Sequence, residues 1–152
     1  MSETERSRKI SEDNMKNRYK TLEKSFLNAE RYYRNAKEFL RQAKIEYGIY
    51  KDEKPVREAC GLGYLAALQA IDGFLLQMGL TKDKLPTSID GYQSALKKYA
   101  ARDGKVMAAL TVVYQNLHIL GYYRGGVDVE MIKSGFEKAR FVIEHLSANK
   151  LG

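Results

Sequence analysis

The sequence predicts an all-α fold, an antiparallel up-and-down bundle of four main helices plus one short helix, with a long N-terminal helix. Apolar residues recur in steps of three and four through every long segment, which is the spacing of an amphipathic helix. Glycine, proline and capping residues divide the chain into five such segments with short connections, which favour antiparallel neighbours. The sequence shows no alternating strand pattern of useful length.

The first helix is predicted from an unbroken apolar seam, with Ser11 or Asp13 as its cap and Gly48 near its end. A helix of about 35 residues is roughly 50 Å long, against roughly 35 Å for the second helix, so its N-terminal end should project beyond the bundle. The seam consists of Met15, Tyr19, Leu22, Phe26, Ala29, Tyr33, Ala36, Leu40, Ala43 and Tyr47.

The projecting end of this seam predicts an interface between two copies of the chain. An apolar helix face that outruns its neighbours exposes large side chains, and such faces usually mark a contact with a partner. We therefore expect a homodimer. The candidate interface residues are Met15, Tyr19, Leu22 and Phe26.

The second helix is predicted to have Asp52 as its cap, Pro55 in its first turn and Gly79 at its end. It carries two apolar seams side by side, one mostly of small residues and one of large residues. A helix that is apolar over so wide an arc should be buried between its neighbours.

The remaining helices are marked by their ends. Thr87 with Asp90 resembles a capping box before the short helix, and Asp103 is the expected cap of the fourth helix. That helix should stop at Gly121, followed by a loop over Gly121–Gly126. Asp128 is then the expected cap of the last helix.

Length and composition indicate one soluble domain. The 152 residues suffice to bury a core without disulfides or metals, and 44% of them are hydrophobic while 30% are charged. One cysteine and two prolines argue against a disulfide framework and a four-cysteine zinc site. We expect a flexible polar tail at 1–12, a single bundle domain at 13–148 and a short tail at 149–152.

Charge and polarity predict a cytoplasmic protein without membrane association. The net charge of +7 is a mild basic bias, compatible with an anionic partner or with simple solubility. The N-terminus is too polar for a signal peptide, and Asp72 with two glutamines makes Gly61–Leu80 too polar for a comfortable membrane span. Cys60 as a free thiol fits a reducing compartment.

Three segments resemble helices of the HEPN-like proteins, a superfamily of small helical bundles named for nucleotide binding. Arg57–Gly79 resembles the second helix of that fold, and Leu117–Arg124 and Gly135–His145 are similar to its later helices. The likeness extends from about Arg57 to Leu146. It implies a nucleotide, RNA or partner-protein context, and we interpret the chain as a member of a bacterial branch of the superfamily.

The resemblance also raises the possibility of a metal-independent ribonuclease. Members with that activity resemble one another in an Arg followed after four to six residues by a His, usually with a polar residue directly after the Arg. Arg140 and His145 have this spacing, but Phe141 replaces the polar residue. The two side chains are also turned about 140° apart on an ideal helix, so a shared site would need a distorted helix or a partner subunit. We expect no catalytic residues, with this pair as the alternative.

Two polar residues stand out among apolar neighbours. An ionised Asp72 in an apolar helix is costly unless paired, so it is either a functional carboxylate of raised pKa or a structural one held by a Tyr hydroxyl or an Arg, and we favour the second. His118 shares a helix face with Met107, Thr111 and Tyr114. It is a candidate acid/base or ligand, although a hydrogen-bonded core or rim histidine is the commoner case.

Tyrosines and one arginine complete the candidate binding residues. The eleven tyrosines could stack bases or could simply fill helix crossings with their hydroxyls at the rim. Arg124 lies among glycines and is the first candidate for an anion contact. The tyrosines singled out are Tyr64, Tyr122 and Tyr123. The two histidines lack carboxylates at ligand spacing, so we predict no metal and no cofactor.

These observations favour a noncatalytic helical-bundle binding or interaction module. The partner would be a second copy together with a partner protein or a nucleotide or RNA. The first alternative is the ribonuclease. The second is a small-molecule-binding bundle built around Asp72, His118, Tyr64 and Arg124.

Overall fold

The computed structural model describes residues 2–101 and 104–149, and over these residues the chain is an all-α bundle, as the sequence predicts. α2 lies at its centre and contacts every other helix. A π-helix over Tyr114–Tyr123 continues α4, and the 3₁₀ turn Lys82–Lys84 precedes α3. The helices are α1 (Glu3–Arg41), α2 (Glu53–Gln77), α3 (Ile89–Tyr99), α4 (Gly104–Val113) and α5 (Val129–Asn149).

The core is built around small residues of α2, which allow large side chains to approach its backbone. A Cβ on Gly73 would lie 2.8 Å from the Phe26 ring, and a Cβ on Gly63 would lie 2.9 Å from the Phe136 ring. The two seams predicted for α2 face the core, except that Leu68 is only partly buried and Met78, at the end of the large-residue seam, is 47% exposed. The largest fully buried side chains include Phe26, Ile71, Leu75, Leu96, Leu110, Leu117, Ile132, Phe136, Ile143 and Leu146.

α1 begins much earlier than the sequence predicts. Ser2 is its N-cap, and the Ser2 hydroxyl accepts from the backbone N–H of Glu5 while the Glu5 side chain accepts from the backbone N–H of Ser2. The assignment of Ser11 or Asp13 as the cap is wrong, and residues 3–12 are helix rather than a flexible tail. This capping box satisfies two of the backbone N–H groups that have no partner within the helix at its start.

α1 also ends before Gly48, because the chain turns there into a small hairpin that the sequence analysis did not predict. Strands β1 (Ile45–Glu46) and β2 (Ile49–Tyr50) pair antiparallel around Tyr47 and Gly48. Both turn residues have positive φ, 54° and 76°, as a two-residue type I′ turn requires. Tyr47 is fully exposed and does not belong to the α1 seam.

α2 has the ends that the sequence predicts. The Asp52 side chain accepts from the backbone N–H of Lys54, and Gly79 follows the helix with a φ of +120°. α2 is long and apolar enough to cross a membrane by length and composition alone, but 67% of its most apolar stretch is buried inside the bundle. Burial of this kind is typical of the central helix of a bundle.

Two of the remaining helix ends differ from the prediction. Ser88 caps α3 by accepting from the backbone N–H of Gly91, in place of Thr87 and Asp90. The helical chain passes through Gly121 and ends at Tyr123. A Cβ on Gly121 would lie 2.9 Å from the Cβ of Cys60, so this glycine permits close packing and is not a stop.

The start of α5 agrees with the prediction, because the carboxylate of Asp128 accepts from the backbone N–H of Met131. The predicted cap Asp103 and the residues after Asn149 lie outside the described residues.

Candidate functional site

Four aromatic side chains form a stack between α2 and the π-helix. The π-helix presents Tyr114, His118 and Tyr122 at four-residue intervals, and Tyr64 of α2 packs on His118 with ring centroids 4.5 Å apart and planes 26° apart. Tyr114 and His118 are 5.4 Å apart at 30°, and His118 and Tyr122 are 6.1 Å apart at 18°. π-helices are rare and occur frequently at functional sites. We call these four residues the aromatic stack.

One end of the aromatic stack borders an open pocket of about 450 Å³, which we call the aromatic pocket. A Cβ on Gly61 would lie 3.2 Å from the Tyr122 ring, so the missing side chain lets that ring rest directly on α2. The walls come from α1, α2 and the π-helix. The lining residues are Phe39, Glu58, Gly61, Leu62, Tyr64, Leu65, His118 and Tyr122.

The polar groups of the pocket have distinct roles. Burial raises the pKa of Tyr64 to about 12, with a further contribution from Tyr114, so the Tyr64 hydroxyl stays protonated at neutral pH. Glu58 contributes an exposed carboxylate on an otherwise largely aromatic and aliphatic wall. The pocket therefore offers ring faces for stacking and one carboxylate to accept hydrogen bonds.

The structure brings together three of the predicted binding residues, namely Tyr64, His118 and Tyr122. The other lining residues are not predicted from the sequence. Their signal was present in part, because positions 58, 61, 62 and 65 share one face of α2 at three- and four-residue spacing. The contribution of Phe39 from α1 depends on tertiary packing, and nothing in the sequence marks it.

Asp72 lies outside the lining of the aromatic pocket. Its Oδ1 accepts a hydrogen bond from the Tyr92 hydroxyl at 2.7 Å, which joins α2 to α3. Burial raises the pKa of Asp72 to about 6, and the bond from Tyr92 opposes that rise. This is the geometry of the structural alternative, a carboxylate held by a tyrosine hydroxyl.

Tyr123 is the last residue of the π-helix and Arg124 follows it as the cap, and both lie outside the pocket lining. The Arg124 guanidinium is 6.0 Å from the centroid of the exposed Tyr123 ring. Arg57 of α2 donates to the Tyr123 carbonyl oxygen at 3.2 Å and pairs with Glu53 at 3.1 Å. The end of the π-helix is thus fixed to the start of α2, with the Arg124 side chain on the exposed surface.

Cys60 is buried beneath Gly121, and burial raises the pKa of its thiol to about 12. It is a packing residue in the reduced form. Across residues 2–101 and 104–149, no three His, Cys, Asp or Glu side chains form a group that could hold a metal ion.

Arg140 of the ribonuclease alternative is engaged by two carboxylates. Its Nη1 and Nη2 donate to Glu30 of α1 at 2.8 and 3.1 Å, and its Nε donates to Glu144 at 2.7 Å. These bonds raise the Arg140 pKa, and the guanidinium lies 5.3 Å from the centroid of the Tyr33 ring. The His145 ring stacks on Phe141 at 5.3 Å. Arg140 therefore ties α5 to α1.

We expect the purified protein not to cleave single-stranded RNA in the presence of a chelator, because the Arg140 guanidinium is already neutralised by Glu30 and Glu144. Product analysis on a denaturing gel checks this expectation. Cleavage that is lost in a folded His145→Ala variant would contradict it and restore the ribonuclease alternative.

The projecting end of α1 is exposed as predicted, but not all of the predicted interface residues belong to it. Met15 and Tyr19 are 68% and 62% exposed, and Leu22 packs partly against the core. Phe26 is only 2% exposed, so its assignment to an interface is wrong, because its ring fills the space above Gly73. Arg18 donates two bonds to the Leu76 carbonyl oxygen, at 3.0 and 2.9 Å, and holds α1 to the end of α2.

Fold and site together define a small all-α bundle protein with an aromatic pocket beside a π-helix. Residues 24–148 match a family described as a domain of unknown function, DUF5618, and the chain belongs to this family. A protein of unknown function from Dyadobacter fermentans has a similar structure, with a TM-score of 0.71 and 32% identity over 84% of this chain and 97% of that one.

A protein from Sulfolobus solfataricus is similar in fold, with a TM-score of 0.64 and 21% identity over 82% of this chain and 97% of its own. A comparison with curated proteins finds no match. The bundle is therefore shared by proteins that diverge widely in sequence.

Proposed function

We propose that this protein is a noncatalytic binding module whose aromatic pocket takes a small, flat heteroaromatic ligand of the nucleobase class. The observation that carries the proposal is the aromatic stack, in which Tyr64, His118 and Tyr122 lie at the pocket with planes close to parallel. Offset parallel rings favour another flat ring as the next member of the stack, and stacking of a base on an aromatic side chain contributes about 1–3 kcal/mol.

The size and polarity of the pocket support a ligand of this class. A volume of about 450 Å³ lies within the usual range for small-molecule sites. Glu58 can accept hydrogen bonds from ring N–H or amino groups, and the Tyr64, His118 and Tyr122 side chains offer aromatic surface. A base that carries amino or ring N–H donors satisfies the Glu58 carboxylate better than a hydrocarbon ring does.

The HEPN-like resemblance of Arg57–Gly79 and Leu117–Arg124 supports the same class of ligand, since both segments contribute to the pocket. Their likeness implies a nucleotide or RNA context for the bundle. A cytoplasmic location, where nucleotides are abundant and Cys60 stays reduced, belongs to this proposal.

The two histidines provide a direct test by nuclear magnetic resonance. His118 lies in the aromatic pocket and His145 lies on α5, so one imidazole signal reports binding and the other serves as an internal control. Titration with adenosine, guanosine, cytidine and uridine should shift the His118 signal through ring currents and leave His145 unchanged. Equal shifts of both signals, or no shift with any nucleoside, would contradict the proposal.

A Leu65→Trp substitution should abolish nucleoside binding. Leu65 lines the aromatic pocket and is 48% exposed, so the larger indole can fill the pocket without disturbing the core. Leu27→Trp is the matched control, because Leu27 is 62% exposed and lies on α1 outside the pocket. We expect at least about a tenfold loss of affinity in the first variant, the equivalent of 1.4 kcal/mol, and none in the second. Similar affinities in both variants would place the ligand elsewhere.

A further inference from the structure

We propose that residues 3–20 of α1, here called the extension, pair with the extension of a second copy of this chain in antiparallel orientation. Every side chain from residue 2 to residue 20 is exposed, while the family domain spans residues 24–148. The capping box at Ser2 and Glu5 shows that α1 is helical from its first turn onward. The extension is thus a formed helix that precedes the family domain, with its surface open to a partner except at Arg18, which bonds to the end of α2.

The seam of α1 can be followed into the extension in the same three- and four-residue steps. Going backward from the partly buried Leu22, the next positions are Tyr19 and Met15, both largely exposed. The positions after them are Glu12, Arg8 and Glu5. The seam is therefore apolar near the bundle and carries charges of alternating sign toward the tip.

This alternation of charge selects the orientation of a second copy. In a parallel pair each seam residue faces its own counterpart, so Arg8 would oppose the partner's Arg8 and Glu12 would oppose the partner's Glu12. In an antiparallel pair centred near residue 10, Arg8 faces the partner's Glu12 and Glu12 faces the partner's Arg8. Juxtaposed like charges are strongly unfavourable, whereas unlike charges attract and fix the register.

The charge pattern also favours a second copy over a polyanion. Within residues 3–13 acidic and basic residues alternate, with Glu3 and Glu5 before Arg6, Arg8 and Lys9, and Glu12 and Asp13 after them, while the charged residues closer to the bundle are the basic Lys16, Arg18 and Lys20. The four acidic side chains within residues 3–13 would repel a nucleic acid along the outer part of the extension. When this surface is reversed on itself about residue 10, Arg8 and Glu12 of each copy meet Glu12 and Arg8 of the other.

The test is sedimentation of the full chain over a wide range of protein concentration at low salt. We expect a monomer–dimer equilibrium that weakens as salt is added, since exposed charges are screened. Arg8→Glu and Glu12→Arg should each weaken the dimer by about tenfold, because each change places two pairs of like charges in the interface. The double variant Arg8→Glu with Glu12→Arg should recover the parent affinity, since the exchanged charges again face each other.

Arg6 and Asp13 provide the control, because they carry the same pair of charges and lie on the side of α1 away from the seam. Arg6→Glu and Asp13→Arg should leave the dimer unchanged, and far-UV circular dichroism should show full helicity in every variant. A parent chain that stays monomeric at all concentrations overturns the proposal. A dimer that ignores the Arg8 and Glu12 reversals, or is not restored by the double variant, also overturns it.

Discussion

Replacing Phe26 by alanine is expected to destabilise the fold by about 3–5 kcal/mol, the usual cost of removing a buried phenylalanine ring. The ring is 2% exposed and fills the space left by the absent side chain of Gly73. Its removal leaves a cavity between α1 and α2, the most extensively packed pair of helices in the bundle. Urea denaturation followed by circular dichroism measures the change in the free energy of unfolding.

Leu27→Ala is the control for this prediction, because Leu27 is the next residue along α1 and is 62% exposed. Its loss should change the free energy of unfolding by less than about 0.5 kcal/mol. If Phe26→Ala changed the free energy of unfolding as little as Leu27→Ala, Phe26 would belong to the exposed, projecting part of the α1 seam. Phe26 would then be a candidate residue of a dimer interface, as the sequence predicts.

The helices could be predicted from the sequence because each buries a stripe of apolar residues over several turns. The wide apolar arc of α2 correctly indicated the central helix, and Asp52 and Asp128 act as the caps that were expected. An apolar pattern that repeats over many residues stays recognisable when single positions depart from it. Features encoded in one or two residues lack this redundancy.

The features that escaped prediction depend on such local or tertiary detail. The hairpin needs only Tyr47 and Gly48 at positive φ, and two-residue strands are too short to show alternation. The helix from Glu3 is fixed by a capping box in a segment without an apolar stripe. Gly121 resembled a helix stop, but it permits contact with Cys60, which only the packed structure reveals.

The candidate site was predictable in part for the same reason. Tyr64 and His118 stood out as polar or aromatic residues on apolar faces, and the structure brings both into the aromatic stack. The expectation that Asp72 and Arg124 share one site with Tyr64 and His118 is not met, since neither residue lines the aromatic pocket. Ideal α-helical geometry could not show which rings would line one pocket, because the π-helix changes the angular spacing of its residues.

An Asp72→Asn substitution is expected to stabilise the protein at neutral pH and to have little effect below about pH 4. Burial raises the folded-state pKa of Asp72 to about 6, above the model-peptide value, so the folded state binds the proton more tightly than the unfolded state does. The parent therefore loses stability as the pH rises from about 4 to 6, where the buried carboxyl must ionise. An amide does not ionise, and its oxygen can still accept the hydrogen bond from Tyr92.

The gain from Asp72→Asn should grow between pH 4 and 6 and then stay constant, at up to about 3 kcal/mol, since one pKa unit corresponds to about 1.4 kcal/mol. Urea denaturation of both proteins across this pH range measures the difference. Asp13→Asn is the control, because Asp13 is exposed on α1 and its replacement should change stability by no more than about 0.5 kcal/mol at any pH. A variant that is less stable than the parent at pH 7 would show that the ionised Asp72 strengthens the contact between α2 and α3, and that the Tyr92 bond outweighs the cost of burial.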